Sequence, residues 1–156
     1  MVIENSNTPD ERKSDYKPLV LVVDDDEIHQ KLLLLLADSL GITARIAGSC
    51  AEAIEELKVS SFDLILMDYR MPEVDGCICT KRIRTMSEHA VGNHDRVPII
   101  GVTAHIQPES KHICIQAGMD DYLPKPFTLE ELKEKIEYWL NKNSDPVSAP
   151  RTELSK

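Results

Sequence analysis

Five short apolar runs alternate along this chain with longer stretches of helical period, and that alternation constrains the fold more than any other feature. The clearest runs are Leu19–Val23, Leu64–Met67 and Ile99–Val102, with weaker ones at Thr43–Ala47 and Tyr122–Leu123. Continuous apolar runs of this length suit strands covered on both faces, as in a parallel sheet. Helices are expected at about 27–40, 50–59, 75–87, 108–117 and 128–141. Their ends are punctuated accordingly. Gly41 and Gly118 suit the left-handed position after a helix, Pro108 suits a first turn, and Thr128 with Glu131 forms a capping box. Five βα units in succession predict an α/β fold, a doubly wound parallel sheet of five strands with five helices. In such sheets the site lies at the carboxyl ends of the strands, near a topological switch point.

The 156 residues fit one domain, expected at 18–141 between polar tails at 1–17 and 142–156. Those tails suit a free-standing protein and a domain excised from a larger one equally well. The formal charge of −9 argues against nucleic-acid binding, because a phosphate backbone would repel it. No run approaches the roughly 18 apolar residues of a membrane span, and no basic-then-apolar leader opens the chain, so a cytoplasmic location is expected. Cys50, Cys77, Cys79 and Cys114 match no zinc spacing and are expected to be small buried residues or inert thiols.

Polar residues follow the runs immediately. Asp24, Asp25 and Asp26 come after the first run, Asp68 after the third, Thr103 after the fourth, and Lys125 just past the fifth. Parallel strands end at one edge, so these side chains should share one cleft. Bare carboxylates brought together repel, and a hard divalent cation with oxygen ligands, such as Mg²⁺, relieves the conflict. A metal, a hydroxyl and an ammonium around one further carboxylate make a phosphoryl-transfer site with that carboxylate as nucleophile. Taken singly, an Asp after a strand is more often a helix N-cap, and Lys125 a solvated lysine. Four strand ends converging on one chemistry outweigh those separate readings.

In order and spacing these segments resemble the response-regulator receiver family. The resemblance rests on Leu-Val-Val-Asp-Asp-Asp at 21–26, Leu-Ile-Leu-Met-Asp-Tyr-Arg-Met-Pro-Glu-Val-Asp-Gly at 64–76, Pro-Ile-Ile-Gly-Val-Thr-Ala at 98–104 and Asp-Tyr-Leu-Pro-Lys-Pro-Phe at 121–127. It implies the flavodoxin-like strand order 2-1-3-4-5 and a phosphorylation switch that is no enzyme beyond its own phosphorylation and slow autodephosphorylation. Asp68 would accept the phosphoryl group from a histidine kinase or histidine phosphotransfer protein. Mg²⁺ would sit on Asp24 and Asp25, with Asp25 the direct ligand, and on Asp68 and the backbone carbonyl of Arg70. Thr103 and Lys125 would contact phosphoryl oxygens, Tyr122 would turn inward as Thr103 moves, and Lys125–Pro126 would be a cis peptide. Arg70 and His105 would tune phosphoryl lifetime, with Arg70 crowding out attacking water. The stretch Met86–Val97 resembles receivers of hybrid sensor kinases.

Asp26, a third consecutive acid, reads as the start of the first helix, where the dipole favours it, with contact to the metal through water as the lesser alternative. Along that helix Ile28, Leu32, Leu33, Leu36 and Leu40 are expected to face the core. Leu34 and Leu35 then fall outside the stripe, as an apolar patch beside Asp68 that with His29 docks a helical phosphodonor, or as part of a more fully buried helix. His29, His89, His94 and His112 read as solvated rather than catalytic. Two other functions compete. The Asp24–Ile28 segment superficially fits the D-x-D motif of haloacid-dehalogenase-like phosphatases, but Lys125 follows Asp120-Asp121 where that group places it before, and Asp68 goes unexplained. A receiver-like interaction module that is never phosphorylated would have no use for the complete residue set. Dimerisation through the last helix and the 105–127 surface stays open on sequence alone.

Overall fold

In the computed structural model, which describes residues 17–86, 96–104 and 108–144, the chain forms five βα units. Their order is β1 (Leu19–Val23), α1 (Glu27–Ser39), β2 (Thr43–Ala47), α2 (Cys50–Val59), β3 (Leu64–Asp68), α3 (Gly76–Arg84), β4 (Ile99–Thr103), α4 (Pro108–Ala117), β5 (Asp121–Pro124) and α5 (Leu129–Ser144). All strand pairs are parallel and the sheet order is β2-β1-β3-β4-β5. The chain therefore reverses its direction of winding between β1 and β3, and a crevice opens there at the carboxyl edge.

Alternation within the strands supplies two cores. In β1, Leu21 and Val23 join Ile65, Met67 and Ile99 beneath Ala53 and Leu57 of α2, Ile83 of α3 and Cys114 of α4. Val20 and Val22 point the other way, with Leu66, Ile100 and Val102, against Leu33 and Ala37 of α1 and Leu132 and Ile136 of α5. Burial on both faces is the reason β1, β3 and β4 read as unbroken apolar runs. The expected punctuation is present. Gly41 and Gly118 adopt positive φ, and the Thr128 hydroxyl accepts from the Glu131 amide while the Glu131 carboxylate accepts from the Thr128 amide. At the start of β5 the Asp121 carboxylate takes both oxygens to the Lys135 ammonium (2.8 and 2.9 Å) and accepts the Trp139 indole N–H at 2.8 Å. This contact fixes α5 against the edge strand.

Two sequence expectations need correction. In α1 the buried residues are Leu33 and Ala37, with Leu36 and Leu40 partly buried, whereas Ile28 is 76% and Leu32 45% exposed. The inward stripe is thus Leu33, Leu36, Ala37 and Leu40. The five consecutive leucines from Leu32 to Leu36 carry no period of their own, and Ala37 sets the phase. Leu34 and Leu35 are exposed, outside the stripe as expected. Among the cysteines, Cys50 and Cys79 form a disulfide between α2 and α3, while Cys77 and Cys114 are buried free thiols whose sulfurs lie 3.9 Å apart. Cys50 and Cys79 are 29 positions apart in sequence. Only the packing of α2 and α3 side by side on one face of the sheet brings them together.

Candidate functional site

The carboxyl edge gathers Asp25, Asp26, His29, Asp68, Arg70, Thr103, Ala104 and Lys125 around a cleft of about 260 Å³. Asp68 ends β3, Thr103 ends β4, and both are buried. Asp24 is buried just past β1, its amide bonded to the Ala47 carbonyl at 3.0 Å. Carboxylate oxygens of Asp24, Asp25 and Asp68 all lie within 4.8 Å of one another, the one such metal-sized cluster among the described residues. Asp25 is the exposed member, so it faces solvent at the mouth. A set of hard oxygen donors, partly solvated, suits Mg²⁺ with retained waters.

Asp26 stands apart. It is the N-cap of α1, its carboxylate accepting the Ile28 amide at 2.8 Å and the His29 amide at 3.4 Å. Those backbone bonds, Ile28 first, hold its carboxyl below the usual range. Lys125 reaches in from just beyond β5, immediately before the cis Lys125–Pro126 peptide, with its ammonium 3.4 Å from Asp68 Oδ1 and 3.3 Å from His29 Nδ1. His29 Nδ1 also lies 3.5 Å from Asp24 Oδ2. The histidine expected at a docking surface therefore stands at the cleft wall itself. The Arg70 amide lies 3.4 Å from Asp68 Oδ1. Tyr122 is half-buried on β5 with the ammonium groups of Lys111 and Lys135 5.0 and 5.7 Å from its ring centre. His105, His89 and His94 lie outside the described residues, and His112 is exposed.

One supporting residue, and the packing role of another, escaped sequence reasoning. The Gln30 side chain donates to the Asp24 carbonyl at 2.6 Å and holds the acidic loop from α1. Gly76 packs so closely on the β3 end that a Cβ there would run into the Asp68 carbonyl oxygen. A glutamine about one turn past an acidic run has no distinguishing pattern, whereas Gly76 stands in the Asp-Gly pair that closes the 64–76 segment, without a packing role assigned to it.

Burial, and next the charge of Asp24, raise the Asp68 carboxyl above its ordinary 3.8, and Lys125 only partly offsets them. An acid whose folded pKa is raised favours the folded state when protonated, and that contribution is lost as pH rises through the raised value. Without metal, the native chain should therefore lose melting temperature relative to Asp68→Asn as pH climbs from about 4 toward 7. Adding Mg²⁺ at neutral pH should narrow the gap. Thermal unfolding in chelator across that range checks this, and parallel curves for the two proteins would refute it.

Comparison with known proteins agrees with this geometry. The profile of the response regulator receiver domain matches residues 20–137. The chain is 36% identical over 120 residues to hybrid signal transduction histidine kinase K of Dictyostelium discoideum, covering 76% of this chain and 10% of that protein. It is 36% identical over 118 residues to the sensor histidine kinase RcsC of Salmonella typhi, covering 76% of this chain and 12% of that one. The chain thus spans about a tenth of the length of these relatives. Among solved structures, the receiver domain of a sensor histidine kinase from Pseudomonas aeruginosa, with magnesium coordinated in its active-site cleft, superposes with a TM-score of 0.72. That pair is 33% identical, covering 81% of this chain and 99% of that one. Strand order, motif order and the acidic cleft at the switch point converge on one assignment, and the chain belongs to the response regulator receiver domain family.

Proposed function

We propose that this receiver takes a phosphoryl group from a phosphohistidine donor onto Asp68, in a Mg²⁺ site formed by Asp24, Asp25, Asp68 and the Arg70 carbonyl. The observation that carries the proposal is the approach of the Lys125 ammonium to Asp68 Oδ1 beside two further carboxylates. Asp68 is the nucleophile, and Mg²⁺ supplies charge neutralisation for the incoming phosphoryl oxygens. Lys125 pairs with one of those oxygens. The Thr103 hydroxyl takes another, Tyr122 follows it inward, and the added charge of about −2 becomes a surface change. Arg70 lines the cleft and shields the acyl phosphate from water, with His105 as the second tuning position. No other catalytic activity is assigned. The working domain is 18–141, extended by the turn of α5 that reaches Ser144. Among the described residues no helix is long and apolar enough to cross a membrane, and we place the domain in the cytoplasm.

The donor is a histidine kinase or histidine phosphotransfer protein, as the hybrid-kinase relatives suggest. It docks on α1. Ile28, Leu32 and Leu35, at helical spacing i, i+4 and i+7, form one exposed stripe, with Leu35 69% exposed and Leu34 at its flank. The stripe borders an apolar pocket of about 360 Å³ lined by His29, Leu32, Leu33, Val102, Pro126 and Phe127, among others. An amphipathic donor helix can lay an apolar edge along the stripe while its phosphohistidine faces Asp68.

The test is transfer from a phosphorylated histidine phosphotransfer protein in Mg²⁺. Label should appear on the native chain. Leu35→Glu should slow this transfer roughly tenfold or more, the cost of an unpaired charge in an apolar contact, yet leave modification by acetyl phosphate unchanged. Arg70→Ala should shorten the phosphoryl half-life. No transfer from any histidine donor, in a chain that acetyl phosphate does modify, would overturn the donor assignment.

A further inference from the structure

Helix α3 carries a cysteine on each side. Cys79 meets Cys50 of α2, with Cα atoms 5.6 Å apart, and Cys77 meets Cys114 of α4. The two pairs differ chemically. Cys77 and Cys114 remain free thiols with their sulfurs 3.9 Å apart, and burial pushes the Cys77 thiol up to about 12 and raises Cys114 as well, so both stay protonated and poorly nucleophilic. Cys50 is the first residue of α2, directly after the Ser49 N-cap. Of the bonded pair, Cys50 keeps 4% of its surface accessible against 0% for Cys79.

The segment between Cys50 and Cys79 contains all of β3, hence Asp68, and the loop to Gly76, whose amide donates to the Tyr69 carbonyl at 2.8 Å. Three positions beyond Gly76, on the same short helix, stands Cys79. A covalent tie at Cys79 therefore acts on the helix whose first residue rests on the Asp68 carbonyl.

We propose that Cys50–Cys79 is a reversible dithiol–disulfide site whose closure stiffens the Asp68–Cys79 segment. The oxidant is a low-molecular-weight disulfide of the glutathione class. The Cys50 thiolate attacks one of its sulfurs and expels one small thiolate. Cys79 then attacks the Cys50 sulfur and expels the second small thiolate, which leaves with the Cys79 proton. Two protein thiols and one small disulfide become one protein disulfide and two small thiols. Closing the ring lowers the entropy of every opening that would part α2 from α3, so such openings become rarer. Nothing in this step requires Asp68 to be phosphorylated, so it stands apart from the function proposed above.

The test equilibrates the full chain with oxidised or reduced glutathione, counts alkylatable thiols, maps the cross-linked peptide by mass, and follows amide hydrogen exchange of residues 68–79. In oxidised buffer two thiols should disappear into a Cys50–Cys79 cross-link. Exchange across 68–79 should slow by about tenfold or more, and reduced glutathione should reverse both changes. The Cys77→Ala/Cys114→Ala double variant should behave like the native chain, and Cys79→Ala should be insensitive to redox state. A bridge that never forms, never opens in the folded protein, or joins Cys77 to Cys114 would overturn the proposal. So would an exchange rate that is the same in both states, a comparison the native chain alone provides should Cys79→Ala misfold.

Discussion

Asp68→Asn should abolish covalent modification by acetyl phosphate and Mg²⁺-dependent capture of beryllofluoride, with the fold retained. Asparagine keeps the size of the buried side chain, but an amide is no nucleophile and presents the metal with a weaker oxygen. Intact mass after incubation with acetyl phosphate, with and without Mg²⁺, reads the result directly. A single phosphoryl adduct on the native chain, dependent on the metal and absent from the variant, is the expected outcome. The neighbouring groups should act by degree. Lys125→Met removes the ammonium 3.4 Å from Asp68 Oδ1 and should slow the modification by about 10²-fold, the usual effect of losing one preorganised charge on a transferring group. Thr103→Ala should slow it less. An adduct that persists in Asp68→Asn would place the acceptor elsewhere and falsify the assignment.

Gly76→Ala should destabilise the domain by about 2–3 kcal/mol, a large effect for one methyl group. The added Cβ would meet the Asp68 carbonyl oxygen and come within 3.0 Å of the Tyr69 Cα, and both are backbone atoms that cannot swing aside as a side chain would. Relief requires α3 to lift from the end of β3 or the Asp68 peptide to tilt. Either movement displaces the acceptor carboxylate, so acetyl-phosphate modification should slow by about tenfold or more as well. Urea denaturation should show a lower midpoint at unchanged slope. A midpoint within error of native would mean that the loop yields easily and that Gly76 is no constraint on the site.

The parts of this protein that were legible in sequence are those where one residue's environment is set by its own strand. β1, β3 and β4 are covered on both faces and read as apolar runs. Asp24, Asp68, Thr103 and Lys125 were placed at one edge simply because parallel strands end together, and the structure brings them around one cleft. β2 and β5 lie at the sheet edges, where half-exposed residues dilute the pattern, and they read weakly. The phase of α1 was illegible for a different reason. Five leucines in succession look the same from every direction, so Ile28 and Leu32 were assigned to the core when they face outward. The pairing of Cys50 with Cys79 and the Gln30 brace on Asp24 depend on how helices lie beside one another, which no local pattern encodes.

The indole of Trp139, the chain's single tryptophan, is anchored to Asp121 on the first residue of β5. The phosphoryl cleft lies past the opposite end of that strand, where Lys125 follows Pro124. Its emission is therefore blind to events confined to the cleft and becomes an optical gauge of the seam between β5 and α5. A change in intensity on phosphorylation would be a far-field signal, evidence that the modification has travelled the length of the edge strand.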